Sequence, residues 1–425
     1  MDKELLGAIA LMVLVFGLFS RRLERSPITP PMAYVCFGLL ISSSLLGLTN
    51  EINITNEAIK ILAEVTLAVL LFTDASRIQI KLLRQEYRLP LRLLGIGLPL
   101  TIAVGTMLGL FLFKEELNLW SAAVLATILA PTDAALGQAV VNSEKVPGFI
   151  RQAINVESGL NDGICLPILL LFLSLSVNEG ESSAAYWLSV VSKQIGFGAI
   201  VGILIGFAGS KLIIYSLKRK WITVSFESLS VLGLSILAYT AAEILGGNGF
   251  ISAFLAGLTV GWCGTKPVLN SLQEFGEAEG QLLSLVFFLL FGAVMVIPSV
   301  TQATVKIWIY GIASLVLVRF IGVAMATVSL KLQGKSIVFL SWFGPRGIAS
   351  LVYGLTIVEQ DSLRGSELIF STMVVTVLTS IFAHGLTAFP GVEWYSQHIA
   401  TKHQQGKAMP EMNPVEELPV RLPWK

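Results

Sequence analysis

Seven ionisable side chains stand inside long apolar stretches of this sequence: Glu64, Asp74, Asp133, Glu157, Asp162, Arg319 and Arg346. At membrane depth each costs at least about 2.5–3.5 kcal/mol on insertion scales, so such groups usually mark a pathway or a buried pair. The densest run is Asn155-Val156-Glu157-Ser158-Gly159-Leu160-Asn161-Asp162. On a helix, positions four apart face the same way. Glu157 and Asn161 therefore share one strip, and Ser158 and Asp162 the next. One face presents four oxygen-bearing side chains over about 1.5 turns, the ligand type that hard cations prefer. A patch that merely joins helices by hydrogen bonds would suit a lone Ser or Asn, but it suits two carboxylates poorly.

Two further segments put a charge beside a proline. Leu129-Ala130-Pro131-Thr132-Asp133 and Trp342-Phe343-Gly344-Pro345-Arg346-Gly347 both lie at mid-span. Proline removes a backbone donor and frees the carbonyl one turn earlier, so both helices are expected to break at membrane depth. Non-helical backbone is tolerated there only against protein or a water-filled cavity. The freed carbonyl ends carry partial negative charge and can help hold a cation. Arg346 and Arg319 need buried partners, and Glu157 and Asn161 are the expected partners of Arg346. That pairing would keep Glu157 ionised and leave Asp162 as the group that takes and releases a proton.

The elements that must position these residues are membrane spans. Of 425 residues, 54% are hydrophobic and 13% charged, against about 25% charged in soluble domains. Runs of roughly 20 apolar residues, the length of a spanning helix, recur along the whole chain. The spans fall at approximately 5–20, 30–48, 58–76, 89–113, 119–142, 153–175, 185–217, 225–245, 247–263, 281–300, 305–330, 336–357 and 367–392. They predict an all-α polytopic membrane protein of about thirteen helices, or twelve if the eighth and ninth spans merge at Gly246–Gly249. The runs are continuous and lack period-two alternation, which argues against a barrel. Span 5 is the middle of spans 4–6 and span 12 the middle of spans 11–13. The two triplets have opposite topology, as in inverted-repeat transporters with broken helices around a midplane site.

Basic residues set the orientation. They cluster after spans 1 (Arg21, Arg22, Arg25), 3 (Arg77, Lys81, Arg84, Arg88), 7 (Lys218, Arg219, Lys220), 9 (Lys266) and 11 (Lys331, Lys335), and beside span 5 (Lys145, Arg151). Lysine and arginine favour the cytoplasm, so the N-terminus is expected outside and the C-terminus inside. The first apolar run has its arginines after it and no small-residue cleavage site, unlike a secretory signal; it is expected to remain as the first span. Residues 266–280, with Glu274, Glu277 and Glu279, are expected to form a short interfacial helix. The segment from about Ser396 is polar with four prolines and leaves no room for a soluble regulatory domain. The net charge of +1 gives no case for nucleic acid. Cys36, Cys165 and Cys263 show neither a disulfide framework nor metal spacing.

With these residues in view, the chain resembles the bacterial sodium/proton antiporters of the NhaP type, within the first cation:proton antiporter family, which includes the eukaryotic sodium/proton exchangers. The resemblance rests on Leu71-Phe72-Thr73-Asp74-Ala75-Ser76, Ala130-Pro131-Thr132-Asp133, Glu157 to Asp162, and Phe343-Gly344-Pro345-Arg346-Gly347. Arg319 and Asn248 to Gly257 also fit. It implies an inverted-repeat antiporter fold with two broken crossing helices. Core repeats would occupy residues 89–175 and 305–392. Scaffold helices that build a homodimer would occupy 1–80 and 218–300, with a linking helix at 185–217 and a short cytoplasmic tail at 393–425.

It further implies that Asp162 binds cation and proton, with Ser158, Thr132, Asp133 and Asp74 as further ligands or lining. Asn161, Glu157, Arg346 and Arg319 would pair charges in the core, and Pro131 and Pro345 would make the breaks. Asn161 before the aspartate points to electroneutral one-for-one exchange. The implied activity is exchange of Na+ or Li+ for H+ in a bacterial inner membrane, without a cofactor. A K+/H+ antiporter on the same fold is the alternative reading. A channel fits less well, because the inverted triplets and a proton-titratable site argue for alternating access. His384, His398 and His403 form no metal cluster, His384 being expected to make a local hydrogen bond, and no nucleophile–base spacing suggests an enzyme.

Overall fold

A computed structural model describes residues 3–23, 26–49, 57–78, 87–133, 135–177, 184–265, 279–358, 363–404 and 409–412. They form helices and turns, with no strand among them. The helices in chain order are α1 (Lys3–Leu23), α2 (Pro30–Ile41), α3 (Glu57–Ser76), α4 (Arg88–Leu112) and α5 (Leu119–Ile128). There follow α6 (Gln138–Val141), α7 (Gly148–Val177), α8 (Ala184–Lys218), α9 (Val224–Ile244) and α10 (Gly249–Cys263). The last five are α11 (Glu279–Thr301), α12 (Val305–Thr327), α13 (Gly334–Trp342), α14 (Ile348–Val358) and α15 (Ser366–Gln404), and a single 3-10 turn (Pro410–Met412) comes after them.

Each expected span has its helix, with α5 and α6 sharing span 5 and α13 and α14 sharing span 12. Among the described residues, seven helices are long and apolar enough to cross a membrane unaided. Two helix ends differ from expectation. The helix of span 2 stops at Ile41 and gives way to turns. The helix of span 13 runs through Pro390 to Gln404, beyond the expected end at 392. In what reads as a polar tail, the 3-10 turn buries Glu411, and Met409 just before it is buried as well. The expected interfacial helix over 266–280 lies outside the described residues, apart from Glu279 and Gly280, which open α11.

Helix starts are chemically marked. Asn118 caps α5 by accepting from the Ser121 amide at 2.7 Å, and Asn248 caps α10 by accepting from the Ile251 amide at 3.0 Å. Wide π-type turns interrupt three long helices at Leu93–Gly97, Phe291–Val296 and Ser314–Val318. The first two lie just before Pro99 and Pro298. A proline ring collides with the carbonyl four residues back, and a widened turn relieves the collision. The third lies immediately before Arg319.

Helices α3, α8, α9 and α10 pack as one group, and α2 packs on α11. With no hydrophobic drive between helices in lipid, close approach depends on small residues; Gly257 and Gly261 of α10 let the α3 backbone in at Phe72 and Ser76. The two triplets also pack among themselves. Helix α4 packs on α5 and α5 on α7, while α12 and α14 both pack on α15. The triplets meet where α4 crosses α12, with Gly97 against Gly322. Large apolar side chains such as Leu18, Leu204, Phe226, Ile244 and Trp262 face outward, as a lipid-facing surface requires.

Candidate functional site

Both proline segments break their helices. Helix α5 ends at Ile128, and residues 131–133 carry no regular structure before α6 begins at Gln138. Helix α13 ends at Trp342 and α14 begins at Ile348, with 343–347 between them. The two irregular segments lie across each other and satisfy each other's backbone. The Asp133 amide donates to the Pro345 carbonyl at 2.7 Å. Ser350 donates its hydroxyl to the Ile128 carbonyl at 2.7 Å. The Asp133 carboxylate accepts from the Ile348 amide at 3.2 Å through Oδ2 and from the Ala135 amide at 2.7 Å through Oδ1.

Helix dipoles explain this exchange of charges. The start of α14 carries partial positive charge and meets the Asp133 carboxylate; the end of α5 carries partial negative charge and meets Arg346. Arg346 is fully buried, and its Nη1 donates to the carbonyls of Ala130 and Pro131, the latter at 3.0 Å. Its own amide donates to Ser380 Oγ of α15 at 2.7 Å. Gly347 gives the Asp133 carboxylate room, since a Cβ there would collide with it.

This corrects the expected pairing. Glu157 does not bond Arg346: Arg319 takes it in a two-pronged ion pair, Nη1–Oε1 2.5 Å and Nη2–Oε2 2.8 Å. Gly344 permits it, because a Cβ at that position would stand 2.6 Å from Arg319 Nε. Asn161 does not bond Arg346 either. It donates through Nδ2 to Thr132 Oγ1 at 2.7 Å. The carbonyls freed at the span 5 break hold a guanidinium rather than standing open for a cation. Helix pairing of this kind depends on how each helix is rotated about its axis, and the wide turn before Arg319 resets that rotation in α12.

The oxygen cluster is built where the span 5 break meets α7. Thr132 Oγ1 lies 2.9 Å from Ser158 Oγ, and both residues are buried, as is Asn161. Asn161 Oδ1 is buried and accepts no hydrogen bond among the described residues. Asp162 follows on the same face as Ser158, one turn on, and is half-buried. Asp74 is also half-buried, and its backbone carbonyl passes the Gly159 Cα position, so α3 reaches α7 beside Ser158. Hydroxyl and amide oxygens beside carboxylates are the donor set of a hard cation.

Three contributors escaped the sequence reading. Tyr353 of α14 donates its hydroxyl to the Asp162 carbonyl at 2.8 Å. Ser350 and Ser380 hold the crossing as described above. Ser350 and Tyr353 stand three apart on one helix face, the one sequence signal that could have singled them out. His384 makes the expected local bond, its Nδ1 lying 2.8 Å from the Ser380 carbonyl.

Residues 8–394 match the family model described as "Sodium/hydrogen exchanger, transmembrane". Among curated relatives, the Na(+)/H(+) antiporter 2 of Zygosaccharomyces rouxii is 27% identical over 56% of this chain and 31% of its own length. The K(+)/H(+) antiporter NhaP2 of Shewanella sp. (strain MR-4) is 23% identical over 76% of this chain and 56% of its own. The chain thus spans 31% and 56% of the length of these first two relatives. The K(+)/H(+) antiporter NhaP of Alkalimonas amylolytica is 23% identical over 95% of this chain and 68% of its own. The fold is that of the sodium proton antiporter MjNhaP1 from Methanocaldococcus jannaschii at pH 8, with TM-score 0.74, 19% identity, and 93% of this chain and 98% of that one covered. With this match over nearly its whole length, the chain belongs to the transmembrane sodium/hydrogen exchanger family.

Proposed function

We propose that this chain exchanges Na+ or Li+ for a proton across a membrane, by alternating access and with one-for-one stoichiometry. The observation that carries the reading is the oxygen cluster of Thr132, Ser158 and Asn161 beside Asp162, set where two broken helices cross. Asp162 binds cation and proton in competition. Thr132 and Ser158 supply neutral ligands, Asp133 lines the site while capping α14, and Asp74 approaches from α3. Arg346 and the Arg319–Glu157 pair keep the crossing charge-balanced.

Coupling follows from desolvation. An ionised, empty Asp162 in a low-dielectric core is costly, so the carboxylate crosses only with a cation or a proton. Residues 89–175 and 305–392 form the moving core, and 1–80 and 218–300 form the scaffold of a homodimer. The N-terminus faces outward and the end of α15 lies in the cytoplasm, following the basic loops. The bacterial relatives favour a bacterial inner membrane.

A second reading, K+ for H+, is favoured by the names of the relatives that cover most of this chain. Purified protein in liposomes with an acid interior and an internal pH dye separates the two. Na+, Li+ and K+ are added outside in turn, with and without a potential clamp. Alkalinisation by Na+ or Li+, unchanged by clamping, is the expected result. Response to K+ alone moves the substrate to K+, and dependence on the clamp contradicts one-for-one exchange. No cation-driven proton movement contradicts antiport itself.

A further inference from the structure

Beyond α15, the turn Pro410–Met412 folds back on the triplet helices. Glu411 is fully buried. Its Oε1 accepts from the Gln333 amide and from Ser336 Oγ, both at 2.7 Å, and Ser336 Oγ lies 2.9 Å from the Tyr395 hydroxyl of α15. Gln333 immediately precedes α13, so the carboxylate seals the positive end of the first half of the broken span 12. Met409, also buried, joins the apolar cluster of Phe339, Phe343, Val392, Tyr395 and Ile399. The turn also packs on the beginning of α7.

Helix α13 has nine residues, too few to be stable alone, and it leads directly into the break that carries Arg346. Its rings continue inward from the turn. Phe339 stacks on Tyr395 at 4.3 Å between ring centres, and Phe343, at the break, contacts Phe339 at 4.7 Å. A carboxylate brought from outside the spans thus fixes one end of the short helix whose other end sets the crossing.

We infer that Glu411, supported by Met409, is a positioning residue for the ion site: it holds α13 in register with α15 and α7, and so holds the Phe343–Gly347 break in place. The inference rests on the antiport reading for its transport arm only. The test compares wild type, Glu411→Ala, Glu411→Gln, Met409→Ala and a chain ending at Gln404. Hydrogen exchange is followed over residues 333–342, and KM and maximal rate are measured in proteoliposomes with whichever of Na+, Li+ or K+ drives wild type.

Glu411→Ala and the shortened chain are expected to exchange about tenfold faster over 333–342, the loss of hydrogen bonds to a charged acceptor. Their KM for the cation should rise several-fold, more than the maximal rate falls. Glu411→Gln keeps an acceptor oxygen and should stay near wild type. Unchanged exchange and KM in Glu411→Ala and the shortened chain would overturn the inference, as would equal damage from Gln and Ala. If Glu411→Ala does not fold, Met409→Ala and the shortened chain decide by the same criteria. A wild type that moves no protons would count against antiport instead, and the exchange arm would still decide the role of Glu411.

Discussion

Glu157 of α7 and Arg319 of α12 meet in a buried fork-to-fork ion pair, with N–O separations of 2.5 and 2.8 Å and side chains 4% and 5% exposed. It ties the first triplet to the second directly. The planar guanidinium suits this two-pronged geometry, which a lysine cannot reproduce.

Breaking the pair from one side leaves an uncompensated buried charge, at a cost of about 3–5 kcal/mol. Arg319→Met should therefore lower the unfolding temperature of purified protein strongly. Adding Glu157→Leu to it removes the stranded carboxylate, and the double variant should recover much of the loss. Thermal unfolding in detergent checks this, and a double variant less stable than Arg319→Met would contradict it.

Arg346 holds the end of α5 and donates its own amide to Ser380 Oγ. Arg346→Ala should destabilise the protein by several kcal/mol, because the Ala130 and Pro131 carbonyls at the break lose their donor at membrane depth. Ser380→Ala removes one neutral acceptor and should cost about 1 kcal/mol. The same melting measurement ranks the two, and equal effects would contradict the capping role given to Arg346.

Thr132, Ser158 and Asn161 form one hydrogen-bonded cluster. Replacing Ser158 or Thr132 by Ala should raise the cation KM in proteoliposomes with a smaller change in maximal rate, as expected for lost ligands. The two effects should not add in the double variant, because the hydroxyls contact each other. An unaltered KM in both single variants would remove them from the site.

Tyr353 anchors α14 to the Asp162 carbonyl. Tyr353→Phe deletes that hydroxyl alone and should cost about 1 kcal/mol while leaving the oxygens of the cluster in place. Transport is expected to persist with a modestly altered KM. Abolished transport in a well-folded Tyr353→Phe would assign the hydroxyl a direct part in ion or proton handling.

Much of the fold, and which residues gather at the candidate site, could be read from the chain, because the signals are local. Pro131 and Pro345 break their helices for reasons contained within one turn, and carboxylates in apolar spans announce themselves by their cost. Partner choice could not be read. Whether Glu157 meets Arg319 or Arg346 depends on helix rotation, and the wide turn at Ser314–Val318 has no proline to betray it. Tyr353, Ser350 and Ser380 look like ordinary residues of apolar helices until the crossing aims their hydroxyls at backbone carbonyls and an amide. Glu411 lies among prolines in a polar segment, and its burial comes from distant α13 and α15, not from its neighbours.

Proton release on cation binding tests most directly whether Asp162 serves both ions. Purified protein in weak buffer with a pH dye is titrated with NaCl, LiCl and KCl, with choline chloride as control, in wild type and Asp162→Asn. The transported cation is expected to release close to one proton per ion bound in wild type and none in the folded Asp162→Asn protein. Cation binding without proton release, or equal release from Asp162→Asn, would contradict it.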